Sequence, residues 1–194
     1  QNKFHRMRFL KSVLLLPMLL LMDIHSYINC MNHKNYLLAH IARANPLFSL
    51  LSSIQLLDVV IIFQAENTYI SPNWYLEKHI HHRAVPTWNY QVVHVKGKLQ
   101  LINDEKSLRG ILARLTRQHE ATQPKPWRMS DAPEDYLEEM LQKITAIEIE
   151  ISSIEGKSKL SQNRNRSDVE NVIQKSDSDY QRVYTLHLFV QLRL

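Results

Sequence analysis

Cysteine and glycine are scarce in this chain, and their scarcity closes off several functions. Cys30 is the only cysteine, so neither an internal disulfide nor a cysteine-built metal site can form. A disulfide-stapled extracellular scaffold is excluded, and a reducing cytoplasm is the expected location. The three glycines, Gly97, Gly110 and Gly156, form neither a G-x-G-x-x-G nor a P-loop pattern. A phosphate therefore has to be held by side chains or strand amides. Long apolar runs are also lacking. Val13 to Met22 falls short of the about 20 residues that a spanning helix needs, so no membrane association is expected. With Lys3, Arg6, Arg8 and Lys11 before it, that run imitates a signal peptide, but Pro17 interrupts it and no small-residue cleavage site follows. The alternative is a buried strand.

What is present fits an ordinary folded body. The 194 residues suffice for one domain, and 44% hydrophobic with 22% charged residues is close to the globular norm. A net charge of +5 and a pI near 9.3 favour anionic partners such as phosphate, nucleic acid or acidic lipid.

Tyr36 to Ala42 reads as a strand, followed by Asn45-Pro46 as the N-cap and first turn of a short helix over Leu47 to Ile54. The β-branched run Asp58 to Phe63 predicts a strand buried on both faces, central in its sheet. Tyr69 to Tyr75 reads as a strand end turning into a loop at Ser71-Pro72, and Glu77 to Arg83 as a basic, histidine-rich loop. Strand pattern resumes from Val85 to Ile102, with Gly97 either a hairpin turn or, as favoured here, a bulge in one long strand. Asn103-Asp104 opens an amphipathic helix with a stripe of Leu108, Ile111, Leu112 and Leu115. Asp131 and Glu134 have capping-box spacing ahead of a second helix, with Tyr136, Leu137, Met140, Leu141 and Ile144 as its apolar face. Ile147 to Ile151 alternates as a strand with one wet face, Lys157 to Arg166 is basic and amide-rich, and a short helix follows from about Asp168. Strands without regular β-α alternation, with two helices late in the chain, predict a small barrel or curled sheet with helices outside.

The string Val85-Pro86-Thr87-Trp88-Asn89-Tyr90 sets an aromatic plane beside a hydroxyl and a carboxamide. That mixture suits a flavin, whose ring buries apolar area while its polar edge needs directed hydrogen bonds. A plain packing reading stands beside it, in which Trp88 and Tyr90 alternate into a core while Thr87 and Asn89 cap a turn. Lys157, Lys159, Ser161, Gln162, Asn163 and Arg164 offer the cations and donors that a flavin phosphate or a nucleic-acid backbone uses, or they form a solvated basic rim. His79, His81 and His82 with His94 invite a metal reading, but no carboxylate set completes it, so no metal is assigned. Cys30 has no partner at a recognisable spacing, His40, His94 and His119 read as structural, and no catalytic residue is assigned. No helix-turn-helix is recognisable.

Taken in order, Ile41 to Pro46, Tyr69 to Tyr75, Val85 to Tyr90, His94, Gly97 and Lys159 to Arg164 resemble the successive motifs of the PaiB family, over about Tyr36 to Ile173. The resemblance implies an FMN-binding split barrel, pyridoxamine-phosphate-oxidase-like or flavin-reductase-like, mainly β or α+β with peripheral helices. It further implies a homodimer with FMN at the subunit interface. The expected role is a cytoplasmic bacterial flavoprotein acting as a repressor of protease synthesis and sporulation, with DNA or a regulatory protein as partner. Under it, Tyr69, Ser71, Trp74, Thr87, Trp88, Asn89, Lys159, Ser161, Gln162 and Asn163 are the expected cofactor-binding residues. A flavin-dependent oxidoreductase on the same fold, or a non-flavin binding module with a basic edge, are the alternatives. The chain then divides into a divergent segment over 1–35 with the character of a degraded barrel strand region, the split-barrel domain over 36–175, and a divergent tail over 176–194. Leu14-Leu15-Leu16-Pro17 stands where the family has threonine-histidine-leucine-proline, and this loss of a polar pair predicts weakened FMN binding.

Overall fold

The computed structural model describes residues 26–31 and 34–176. Along them run β1 (Ser26–Met31), β2 (Lys34–Ala42), α1 (Pro46–Ser53), β3 (Leu57–Ile70), α2 (Lys78–His81), β4 (Thr87–Ile102), α3 (Glu105–Glu120), α4 (Glu134–Gln142), β5 (Ile144–Lys159) and α5 (Arg166–Lys175). Short 3-10 turns occupy Pro72–Trp74 and Met129–Asp131. Among the described residues the strands form one antiparallel sheet in the order β1-β2-β5-β4-β3. With its helices this makes an α+β architecture. The chain forms two compact units, and β3, β4 and β5 each contribute residues to both.

The first unit comprises 26–62 and 94–154 of the described residues. β1 and β2 pair antiparallel from Ser26 opposite Ala39 to Met31 opposite Lys34, and β2 pairs with β5 so that Leu37 faces Ile149 and Ile41 faces Thr145. The strand over Ser26–Met31 thus lies within the stretch expected to be divergent. Helix α3 buries Leu108, Ile111 and Leu115 against Leu38, Leu141 and Ala146, with Leu112 partly covered. Each such leucine or isoleucine contributes about 1.5–3 kcal/mol by leaving water. The Asn45 carboxamide oxygen accepts the Leu47 amide at 2.9 Å with Pro46 in the first turn, as the sequence implied.

Two local expectations are corrected in this unit, the place of β3 and the cap of α4, and the choice between hairpin and one long strand at Gly97 is decided for the long strand. Strand β3 stands last in the sheet order rather than in its centre. Only Val59 and Ile61 are buried, while Val60 and Ile62 on the other face are half-buried. An apolar run reports hydrophobicity on both faces, not the strand's place in the sheet. Gly97 is not a hairpin turn. Strand β4 runs through it without a break, and a Cβ there would lie 2.6 Å from Ile149 Cγ2 and collide with the Glu150 carbonyl. The glycine serves close approach of neighbouring strands. Asp131 caps its own 3-10 turn by accepting the Arg128 amide at 3.0 Å, and α4 starts at Pro133 without a side-chain cap.

The second unit comprises 63–93 and 155–176 of the described residues. Its core is Ile70, Tyr75, Leu160, Val169 and Val172, with Trp74, Ala84 and Ile173 packed alongside. Helix α5, capped by Asn165, is tied to the segment after β3. Its Asp168 Oδ1 accepts the Glu77 amide at 3.1 Å, and Asn171 Nδ2 donates to the Trp74 carbonyl at 2.7 Å. The histidine-rich stretch is a single turn of helix rather than a loop, closed by His82 at φ 59°. The leader over 1–25, including Leu14 to Pro17, and the tail over 177–194 lie outside the described residues.

Candidate functional site

All ten residues singled out from the sequence fall in the second unit. The strand period of two sets their directions: in β4, Asn89 is fully buried while its neighbour Trp88 keeps 53% of its surface exposed. The plain packing reading had Trp88 inside and Asn89 at a turn; the pleat does the reverse. In β3, Ile70 is buried and Tyr69 turns outward at 45% exposure. The Tyr69 and Trp88 rings meet edge to face, with centroids 5.8 Å apart and planes at 72°.

Strands β4 and β5 are neighbours in the sheet, and this brings residues 87–91 beside 158–161. Gln91 Nε2 donates to Ser158 Oγ at 3.1 Å. The half-buried Lys159 ammonium donates to Thr87 Oγ1 and, at 2.9 Å, to the Trp88 carbonyl oxygen. Both acceptors are neutral, so these bonds hold the Lys159 ammonium in place without cancelling its charge among the described residues. Arg164 adds a second cation, its guanidinium 4.4 Å from the Tyr75 ring centroid, and the Lys157 ammonium lies 5.6 Å from that of Tyr90.

Beneath this edge lies a buried polar knot. Asn89 Nδ2 donates to Ser161 Oγ at 2.8 Å, Ser161 Oγ donates back to Asn89 Oδ1 at 3.3 Å, and the Tyr75 hydroxyl lies 3.3 Å from Ser161 Oγ. Ser161 has φ 64°, left-handed backbone that a non-glycine residue enters at a cost of about 1–2 kcal/mol. Gln162 spends its amide on its own turn, with Oε1 accepting the Leu160 amide at 2.7 Å and Nε2 donating to the Ser158 carbonyl at 2.9 Å. Ser71 accepts the Asn73 amide and caps the 3-10 turn, and Trp74 packs on the core of the unit. Asn163 is exposed. The residues thus sort into an outward edge of Tyr69, Thr87, Trp88, Lys159 and Asn163, and a support of Ser71, Trp74, Asn89, Ser161 and Gln162. Tyr75, Asp168 and Asn171 belong to that support but were not singled out from the sequence. Nothing local marks them, because their partners lie 86 to 97 positions away.

The residues present fit the chemistry of FMN: Trp88 and Tyr69 present aromatic faces of the kind a flavin ring would pack on, and Lys159 a cation bonded to neutral oxygens, of the kind a phosphate would need. Among the described residues no three histidine, cysteine or acidic side chains converge as metal ligands. No helix among them is long and apolar enough to cross a membrane.

The five-stranded antiparallel sheet with its helices is the fold of flavin-binding split-barrel proteins. The fold matches that of the FAD and heme binding protein of Mycobacterium smegmatis with a TM-score of 0.52, over 86% of this chain and 71% of that one, at 12% identity. The chain belongs to the family described as "Putative FMN-binding domain", whose model matches residues 12–153, and FMN is the cofactor that membership carries. It is 32% identical over 144 residues to the protease synthase and sporulation protein PAI 2 of Bacillus subtilis, covering 74% of this chain and 66% of that protein. It is also 38% identical over 94 residues to an uncharacterized protein of Saccharomyces cerevisiae, covering 48% of this chain and 54% of the relative. The chain therefore spans between about half and two thirds of the length of these curated relatives, and its relatives are not confined to bacteria. The match to the family ends before Lys159, so the contacts of Lys159 and Ser161 rather than the match tie this segment to the edge.

Proposed function

We propose that FMN is held on the edge formed by Tyr69, Thr87, Trp88 and Lys159, and that the bound flavin serves negative transcriptional regulation of the PaiB type in the cytoplasm. The observation that carries the binding site is the Lys159 ammonium, fixed by two neutral oxygens beside an exposed indole. On this reading Trp88 and Tyr69 offer the ring an aromatic face, Lys159 and Asn163 meet the phosphate, and the buried Asn89-Ser161 pair keeps the two strands in register. Bound flavin supplies redox chemistry of its own; the chain supplies binding and orientation.

Two points support regulation over turnover. The similar Bacillus subtilis protein is named for protease synthesis and sporulation. None of the edge residues is a carboxylate or an imidazole, the groups that most often move protons in catalysis. The exposed apolar side chains of this unit, Leu76, Ile80 at 81% exposure, Val85 at 70% and Trp88, support a second copy as their cover, hence a homodimer.

Titration with FMN checks the site: the unmodified chain quenches flavin fluorescence, and Trp88→Ala and Lys159→Met each weaken binding about tenfold or more, the loss of one strong contact. Full affinity in both variants removes the edge from consideration. Regulation is checked by expressing the chain in Bacillus subtilis lacking its relative and measuring secreted protease. An unchanged protease level, together with steady NAD(P)H oxidation by the purified flavoprotein, would favour the oxidoreductase reading instead.

A further inference from the structure

Ser161 stands out from the rest of the turn in two independent respects: it is buried, and its backbone is left-handed although it carries a side chain. A serine in that conformation is held there by its surroundings. Its hydroxyl is shared between both heteroatoms of the Asn89 carboxamide and the phenol of Tyr75. Asn89 follows Trp88 directly, and Tyr75 closes the segment that leaves β3. One hydroxyl therefore joins the three stretches of chain that bear the edge: 69–75, 87–89 and 159–163. Two residues before Ser161 lies Lys159, the last residue of β5, whose ammonium reaches Thr87 and the Trp88 carbonyl. Beyond it, the Arg164 amide donates to the Ser161 carbonyl at 3.0 Å, and the Arg164 guanidinium lies over the Tyr75 ring.

We propose that Ser161 is a positioning residue for phosphate recognition: its hydroxyl, clamped by Asn89 and Tyr75, sets the Lys159 ammonium beside Trp88 so that a flavin bearing a terminal phosphate is preferred over one without. The inference rests on the flavin reading above and adds to it the source of selectivity for FMN over riboflavin. Ser161 touches no ligand itself on this account. It acts through Lys159, so its removal erases selectivity without erasing affinity for the ring.

Ser161→Gly is the informative substitution, because it removes the hydroxymethyl group while glycine accepts the left-handed backbone freely. Tyr75→Phe provides a milder variant that deletes one of the three contacts, should the glycine variant not fold. Affinities for FMN and riboflavin are measured by fluorescence quenching on the full chain, alone and in combination with Lys159→Met. Ser161→Gly is expected to lower FMN affinity about tenfold, one strong hydrogen bond's equivalent, while riboflavin affinity changes less than about twofold. The double variant is expected to lose no more selectivity than Lys159→Met alone, the signature of two residues acting through one contact. A merely structural role would lower both affinities together. Retained preference for FMN in Ser161→Gly and Tyr75→Phe overturns the positioning role while leaving the flavin site standing. Absence of any flavin binding by the unmodified chain overturns both.

Discussion

At the scale of single residues, the least replaceable are those where chain segments approach too closely for another side chain. Gly97 shows this: a methyl group there meets the Glu150 carbonyl and the Ile149 side chain. Gly97→Ala is expected to destabilise the fold by about 1–3 kcal/mol, the usual consequence of overpacking. Gly156→Ala, whose nearest foreign atom would be Val93 Cγ2 at 3.9 Å, serves as its neutral control. Urea midpoints measured side by side check the pair, and equal midpoints would show that the strands yield. The sequence displayed both glycines equally; only the neighbour across the sheet distinguishes them. The same holds for Asn89. Its identity left its direction open, and the pleat turns it inward onto Ser161.

At the scale of elements, the helix starts were the most legible feature, because a cap is written within a few residues of what it caps. Asn45-Pro46 and Asn103-Asp104 both open helices where expected. Asn45→Ala is expected to cost about 1 kcal/mol through the orphaned Leu47 amide, visible as a lowered thermal midpoint. Asp104 adds a pH dependence of known sign. Hydrogen bonds from the Ser107 hydroxyl and amide hold its carboxyl below the ordinary value of 3.8. A depressed folded-state pKa makes this contribution complete above the ordinary value, and it is lost as pH falls through the folded one. Thermal midpoints of the native chain and Asp104→Asn should therefore converge on acidification below pH 3.8 and remain parallel near neutrality. Strand edges were less legible. The run Asp58 to Phe63 carries the hydrophobicity of a central strand yet ends the described sheet, since neighbours across a sheet leave no trace in the strand's own sequence.

At the scale of the whole molecule, the exposed apolar surface around Ile80, Val85 and Trp88 and the net charge of +5 set the expectations. Light scattering on the purified protein is expected to give twice 22.9 kDa, and Ile80→Asp to shift it toward the monomer, because a buried uncompensated carboxylate opposes association. A monomeric mass for the unmodified chain at all concentrations would contradict the dimer. A shared loss of FMN affinity in Ile80→Asp would further indicate that the second copy completes the edge.

The sequence by itself determined the longer helices, the main strands, the lack of a glycine-loop pattern and of any internal disulfide, and the family, because each is written in residue counts or local order: periodicity, caps and motif succession. Tertiary structure alone decided that Lys159 lies on Thr87 and Trp88, that Trp88 faces outward while Asn89 faces in, and that Ser161 is bent to meet Tyr75. Those contacts join residues 71 to 86 positions apart, and such pairs are chosen by which strands lie side by side in the sheet.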